Sequence, residues 1–139
     1  MDASAIVKLI VTEVESAALS TYLRSAGRLA TNRVAVVEVA RAARRRLGEQ
    51  PDALAAALAS FVVVELDAPL ADRAATIGPA GLRPLDAIHL ASAMELGGDL
   101  AAFVTYDARL SAAASSLGIA VVAPGATNED ASTRTRTGS

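Results

Sequence analysis

The chain has 139 residues, 53% of them hydrophobic but only 3% aromatic, with 13 Lys and Arg against 15 Asp and Glu, a net charge of −2 and a pI near 5.3. That length suits one domain with a core packed from Ala, Val, Leu and Ile, and the charge is not the footprint of a simple basic nucleic-acid-binding module. There is no cysteine, and His89 is the one histidine, which excludes a disulfide framework, a Cys-ligated zinc site and thiol chemistry and argues against a zinc site built on imidazoles.

In chain order, "SAIVKLIV" reads as a short helix, and a second helix covers Glu15 to Ser25 before Gly27. "RLATN" is a brief strand whose Thr31 or Asn32 caps the next helix, Val34 to Leu47, which stops at Gly48. Pro51 starts the helix "PDALAAALAS", which leads into "FVVVEL", a β-branched strand. "PLADRAATIG" is a helix with a proline start and a glycine stop. A helix from Pro84 to Leu96 ends at Gly97-Gly98, and "AFVTY", "ARLSAAASSLG" and "IAVVA" then read as strand, helix and strand. Helices alternating with short hydrophobic strands predict an α/β fold with a parallel sheet covered on both faces. The domain is expected over residues 1–123, followed by a polar tail, 124–139, whose lack of large apolar residues predicts disorder. Asp2, Lys8 and Glu13 interrupt the N-terminal apolar stretch, so it does not read as a signal peptide, and "DALAAALASFVVV" is too short to span a bilayer. A soluble, cytoplasmic protein with no membrane association is the expectation.

Four acids fall at element junctions. Asp86 lies in the first turn of an otherwise apolar helix, Glu38 sits among Val36, Val37, Val39 and Ala40, and Asp107 and Asp2 each precede a helix. Taken singly, each has an ordinary reading: Asp86 complements a helix dipole, Glu38 pairs with Arg41, and Asp107 and Asp2 cap helices. Taken together in a parallel sheet, Asp107 marks a strand's carboxyl end, where ligand sites form, and the others can flank that edge. Four converging carboxylates repel and raise one another's pKa values. A divalent cation relieves that repulsion, and Mg²⁺ or Mn²⁺ prefers an all-oxygen site.

"DASAIVKL", "VVEVARA", "LRPLDAIHLASA" and "VTYDARL" occur in the order and approximate spacing of PIN-domain nucleases. Among these the chain resembles the VapC-like toxins of bacterial toxin–antitoxin pairs over about residues 2–123. The resemblance implies a PIN-like three-layer α/β sandwich and a Mg²⁺- or Mn²⁺-dependent endoribonuclease. Its acidic residues would be Asp2, Glu38, Asp86 and Asp107, with Ser4 and Thr105 as hydroxyl groups near the metal. It also implies a homodimer, inhibition by a cognate antitoxin, and an RNA target such as tRNA or ribosomal RNA. Family members carry several strand residues before the first aspartate, whereas this chain has only Met1, so the first strand is expected to be truncated. The α-amine, one residue from Asp2, is then expected to offset part of its charge.

Arg83, close to Asp86, is the preferred phosphate or antitoxin contact, with Arg44 and Arg45 of the "RRR" run as further substrate contacts or a solvated helix end. His89 reads first as a structural histidine, otherwise as a bridge to a carboxylate or to RNA, and Lys8 as a surface lysine. Direct hydrolysis with no covalent nucleophile is the expected chemistry. A phosphoacceptor receiver domain would need a lysine late in the chain, but the only one is Lys8. A haloacid-dehalogenase-type enzyme would need an aspartate where Ser4 stands. The remaining rival is a catalytically weak PIN domain serving as a binding module.

Overall fold

The computed structural model describes residues 1–127. Its elements follow the sequence closely: α1 (Ala3–Ile6, continued by a 3₁₀ turn Val7–Leu9), α2 (Ser16–Ser25), β1 (Leu29–Asn32), α3 (Arg33–Leu47), α4 (Pro51–Leu58), β2 (Phe61–Val64), α5 (Ala68–Thr76), α6 (Pro84–Glu95), β3 (Phe103–Val104), α7 (Ala108–Ser116) and β4 (Val121–Val122). The helix boundaries fall where caps and breakers put them. Asn32 accepts the Ala35 amide at the start of α3, Asp67 accepts the Leu70 amide at the start of α5, and Gly48 takes φ 77° where α3 ends.

The strands are parallel, as expected, but they form two pairs. β1 lies beside β2, with Leu29 opposite Phe61 and Asn32 opposite Val64, and β3 lies beside β4, with Phe103 opposite Val121. Met1 and Asp2 occupy the space between the pairs. The Met1 amine donates to Ala30 O at 2.8 Å, Thr31 Oγ1 donates to Met1 O at 2.8 Å, and the Asp2 amide donates to Val104 O at 3.2 Å. These two residues thus do in part what a central strand would do, and they fix Asp2 at the carboxyl ends of β1 and β3.

Side-chain alternation along β3 and β4 separates two helical layers. Phe103 and Val121 pack with Leu90 and Ala93 of α6 and Leu110 and Ala114 of α7. Val104 and Val122, pointing the other way, pack with Ala5 of α1 and Leu19 of α2. A third cluster joins Leu70 and Ala74 of α5 to Ala87 and Ala91 of α6, where alanines let the two helices approach closely. Burying a leucine such as Leu90, which is 0% exposed, contributes about 1.5–3 kcal/mol. α6 is therefore largely an internal helix, packed against α3, α5 and β1, with Asp86 in its first turn.

Lys8 is not a surface lysine. It is 9% exposed, with Nζ 2.5 Å from Glu13 and 3.0 Å from Glu15 and 4.6 Å from the centre of the Tyr106 ring. Burial on its own lowers the pKa of this amine, but the hydrogen bonds to Glu13 and Glu15 outweigh it and raise the pKa above its ordinary value. Glu13 also binds Arg46, at 2.8 Å, so the loop between α1 and α2 is tied to the end of α3. The expected disorder from Pro124 onward falls mostly on residues 128–139, outside the described range; Pro124 itself accepts the Tyr106 hydroxyl at 2.7 Å. Among the described residues no helix is long and apolar enough to cross a membrane.

Candidate active site

Asp2, Glu38, Asp86 and Asp107 all line one cleft of about 470 Å³, together with Ser4, Arg83 and His89. The four acids come from four elements whose starts meet there. Asp2 caps α1, Glu38 lies in the second turn of α3, Asp86 is in the first turn of α6 behind Pro84, and Asp107 caps α7. The N-termini of α6 and α7 thus present partial positive charge to the carboxylates gathered in the cleft. A larger groove of about 610 Å³ between α5 and α6 is lined by Ala74, Ile77, Leu82 and similar residues. It is lined by no titratable side chain.

Asp2 is the most deeply set of the four, at 4% exposure. Its Oδ1 accepts from Ser4 Oγ at 2.7 Å and from the Ala5 amide at 3.2 Å, and its Oδ2 accepts from Thr105 Oγ1 at 2.7 Å. Both hydroxyls accept in turn: Ser4 Oγ takes the Tyr106 amide at 2.9 Å, and Thr105 Oγ1 takes the Asp107 amide at 3.1 Å. Ser4 and Thr105 therefore join the Asp2 segment to the β3–α7 junction that carries Asp107. Burial raises the Asp2 pKa, against the lowering effect of Ser4, Thr105, the Ala5 amide and His89. No neighbouring carboxylate contributes to this shift, so at Asp2 desolvation acts in place of the expected mutual repulsion. The Met1 amine, brought down to about 6 by burial despite the nearby Asp2 charge, is mostly neutral at pH 7 and offsets little of that charge.

The other three acids keep oxygen atoms free. Asp86 enters no hydrogen bond or ion pair among the described residues, and Asp107 uses only Oδ1, which accepts the Arg109 and Leu110 amides at 2.9 and 3.0 Å. Glu38 Oε1 is buried and lies 2.8 Å from His89 Nε2, yet among the described residues it has no hydrogen-bond partner of good geometry. Among the described residues, no three Asp, Glu or His side chains draw close enough to form a preassembled metal cluster. The set is nonetheless all oxygen, partly unpaired, and spread around a cleft large enough for water. That suits a hard cation that keeps part of its water shell.

The arginines divide. Arg83, at the start of α6, lines the cleft. Arg44 is paired with Glu49 at 2.6 Å at the far end of α3, and neither it nor Arg45 lines the cleft. Arg45 follows Glu38 by seven residues, about two turns, and so shares its helical face. Two further buried residues take part, Asn32, which the sequence offered only as a helix cap, and His89, which it offered as a possible bridge to a carboxylate. Asn32, expected as a helix cap, also places Nδ2 2.8 Å from His89 Nδ1, and His89 bridges to Glu38. The only hint in the sequence was a lone histidine one turn after Asp86.

Residues 1–115 match the PIN domain family. The ribonuclease VapC46 of Mycobacterium tuberculosis is 44% identical over 124 residues, covering 89% of this chain and 95% of the relative. The ribonuclease VapC35 of the same organism is 45% identical over 129 residues, covering 90% and 96%. Among solved structures, M. tuberculosis VapC20, described as a sarcin–ricin loop cleaving toxin, superposes with a TM-score of 0.65 over 88% of this chain and 97% of that one, at 20% identity. That likeness bears on the fold, which is the expected PIN-like α/β sandwich. With the PIN match and the identity to its VapC relatives agreeing along almost the whole chain, this protein belongs to the PIN-domain family, among the VapC ribonucleases.

Proposed function

We propose that the chain is a Mg²⁺- or Mn²⁺-dependent endoribonuclease toxin that hydrolyses RNA phosphodiester bonds in the cleft of four carboxylates. The observation that carries this reading is the gathering of Asp2, Glu38, Asp86 and Asp107 from four separate elements around one opening, with Arg83 beside them. Asp86, Asp107, Glu38 and Asp2 would hold the cation. When bound, it supplies an activated water and positive charge for the reacting phosphate. Ser4 and Thr105 fix the Asp2 carboxylate through both of its oxygens. Arg83 binds a backbone phosphate of the RNA, a contact that positions the strand without reading its sequence. Arg45, on the Glu38 face of α3, serves a phosphate further along, and Arg44 is left to its pair with Glu49. With only two Phe and two Tyr in the chain, base stacking contributes little.

The wider reading follows the VapC relatives. A cognate antitoxin occupies the cleft and silences the enzyme, the toxin is a cytoplasmic homodimer, and the target is a tRNA or ribosomal RNA. Residues 1–123 form the nuclease unit. The looseness of the acid cluster favours one alternative, a catalytically weak PIN domain that only binds RNA or a protein. The ends of the product decide between chemistries. Attack of water on phosphorus with the 3′ oxygen leaving breaks the P–O3′ bond and gives a 5′-phosphate and a 3′-hydroxyl, so end-labelling of fragments should show ligatable 3′ ends and kinase-resistant 5′ ends. Cyclic-phosphate ends would count against the proposal, because they require attack by the RNA's own 2′-hydroxyl.

A further inference from the structure

We infer that Asn32 and His89 form a positioning relay that fixes a single tautomer of the imidazole and through it orients the Glu38 carboxylate. The inference rests on the nuclease reading for its catalytic consequence, but not for the relay itself. Asn32 and His89 are each 4% exposed, at the end of β1 and in the middle of α6. The Asn32 amide has a defined orientation, since Oδ1 accepts the Ala35 backbone N–H at 2.9 Å. Only an oxygen can do that, so the atom 2.8 Å from His89 Nδ1 is the amide nitrogen, a donor. Nδ1 must then accept, which leaves the ring hydrogen on Nε2.

The Nε2 hydrogen then lies on the side of Glu38 Oε1, 2.8 Å away, a buried oxygen that has no hydrogen-bond partner of good geometry among the described residues and for which this N–H is the nearest available donor. The opposite tautomer would set two donors against each other at Nδ1 and a lone pair against the carboxylate at Nε2. Both errors fall in a buried site where unpaired polar groups are costly. The relay thus holds Glu38 by Oε1 from behind and leaves Oε2 for whatever enters the cleft. It also couples elements. Asn32 caps α3, which carries Glu38, and His89 lies one turn beyond Asp86 on α6. One ring thus links the start of α6 to Glu38, through its hydrogen bond to Asn32 and the short Nε2–Oε1 contact. Outer partners that orient ligating side chains in this way are worth about 10–100-fold in metal affinity or activity.

Because His89 is the only histidine, nitrogen NMR of protein labelled in histidine reads one ring without overlap. In EDTA at pH 7.5 the expected spectrum has an unprotonated Nδ1 and a protonated Nε2. A proton on Nδ1 in the parent protein would overturn the relay. Asn32→Asp keeps an oxygen for the helix cap but faces Nδ1 with an acceptor, and is expected to draw a proton onto Nδ1; an unchanged spectrum would refute the role given to Asn32.

Two further variants separate positioning from bulk. His89→Gln can place an amide nitrogen near the Nε2 site, and is expected to keep kcat and Mn²⁺ affinity within about threefold of the parent. His89→Asn fills the Nδ1 side only, and is expected to lose about 10–100-fold in both while RNA affinity in EDTA stays unchanged. Equal behaviour of the two variants, whether both intact or both impaired, would contradict the assignment. If the parent protein cleaves no RNA the nuclease reading fails, while the NMR and Mn²⁺-binding results still decide the relay.

Discussion

Asp86→Asn is expected to lower RNA cleavage at least about 100-fold, equivalent to about 2.7 kcal/mol of transition-state stabilisation, with no loss of thermal stability. The reason is its isolation. Asp86 is half-buried at the start of an internal helix, but among the described residues it makes no hydrogen bond or ion pair that the fold could depend on. What remains for it structurally is a first-turn interaction with the helix dipole, worth about 0.3–1 kcal/mol. Asn keeps the shape and removes the charge that would hold a cation. Single-turnover cleavage and a melting curve on the same preparation read the two effects separately. A variant that melts early and cleaves normally would assign Asp86 to the helix and not to the site. Asp107 differs, because its Oδ1 caps α7 through the Arg109 and Leu110 amides. Asp107→Ala should therefore lose activity and about 1 kcal/mol of stability together, whereas Asp107→Asn, which can still cap, should lose activity alone.

Asp2→Asn is expected to produce opposite changes in activity and stability. Burial raises the Asp2 pKa above its ordinary 3.8. A carboxyl whose folded pKa lies above its unfolded one contributes stability that is fully present below the unfolded value and lost as pH rises through the folded one. Above that window the native protein carries a buried charge that Ser4, Thr105 and the Ala5 amide only partly compensate. Asn removes the charge and can still be hydrogen-bonded by rotation of the two hydroxyls. In EDTA, chemical denaturation should find Asp2→Asn more stable than the parent at pH 7 and equal to it below the ordinary carboxylate range. Added Mn²⁺ should reverse the order by stabilising only the parent. Cleavage by the variant should fall at least about 100-fold. A variant less stable than the parent in EDTA at pH 7 would show that the ionised carboxylate is structural.

Much of the helical framework could be read from local signals, because helix starts and stops are written in single residues. Pro84 and Gly97 bracket α6, Asn32 and Gly48 bracket α3, and the structure follows both within a residue or two. Strand lengths could not be read so well. "AFVTY" yields only Phe103 and Val104 as strand, since β3 extends only as far as its two-residue partner β4 permits. The four acids stood out because charge in an apolar context demands a reason, and the fold brings all four to one cleft. Contacts made at long range gave no such sign. Lys8 is buried because Glu13 and Glu15 close over it from a loop. Asn32 meets His89 across 57 positions of sequence. Arg44 and Arg45 looked equivalent in the run of three, and only the helical phase and the pair with Glu49 distinguish them.

The most direct test of the cation-dependent cleft is cleavage of a total small-RNA pool by the parent protein with Mg²⁺ or Mn²⁺, with EDTA and the Asp86→Asn variant as controls. Discrete cuts are expected with either ion, disappearing in both controls and returning when the chelated ion is restored. Cleavage that persists in EDTA, or that Asp86→Asn leaves intact, would contradict the cation-dependent cleft.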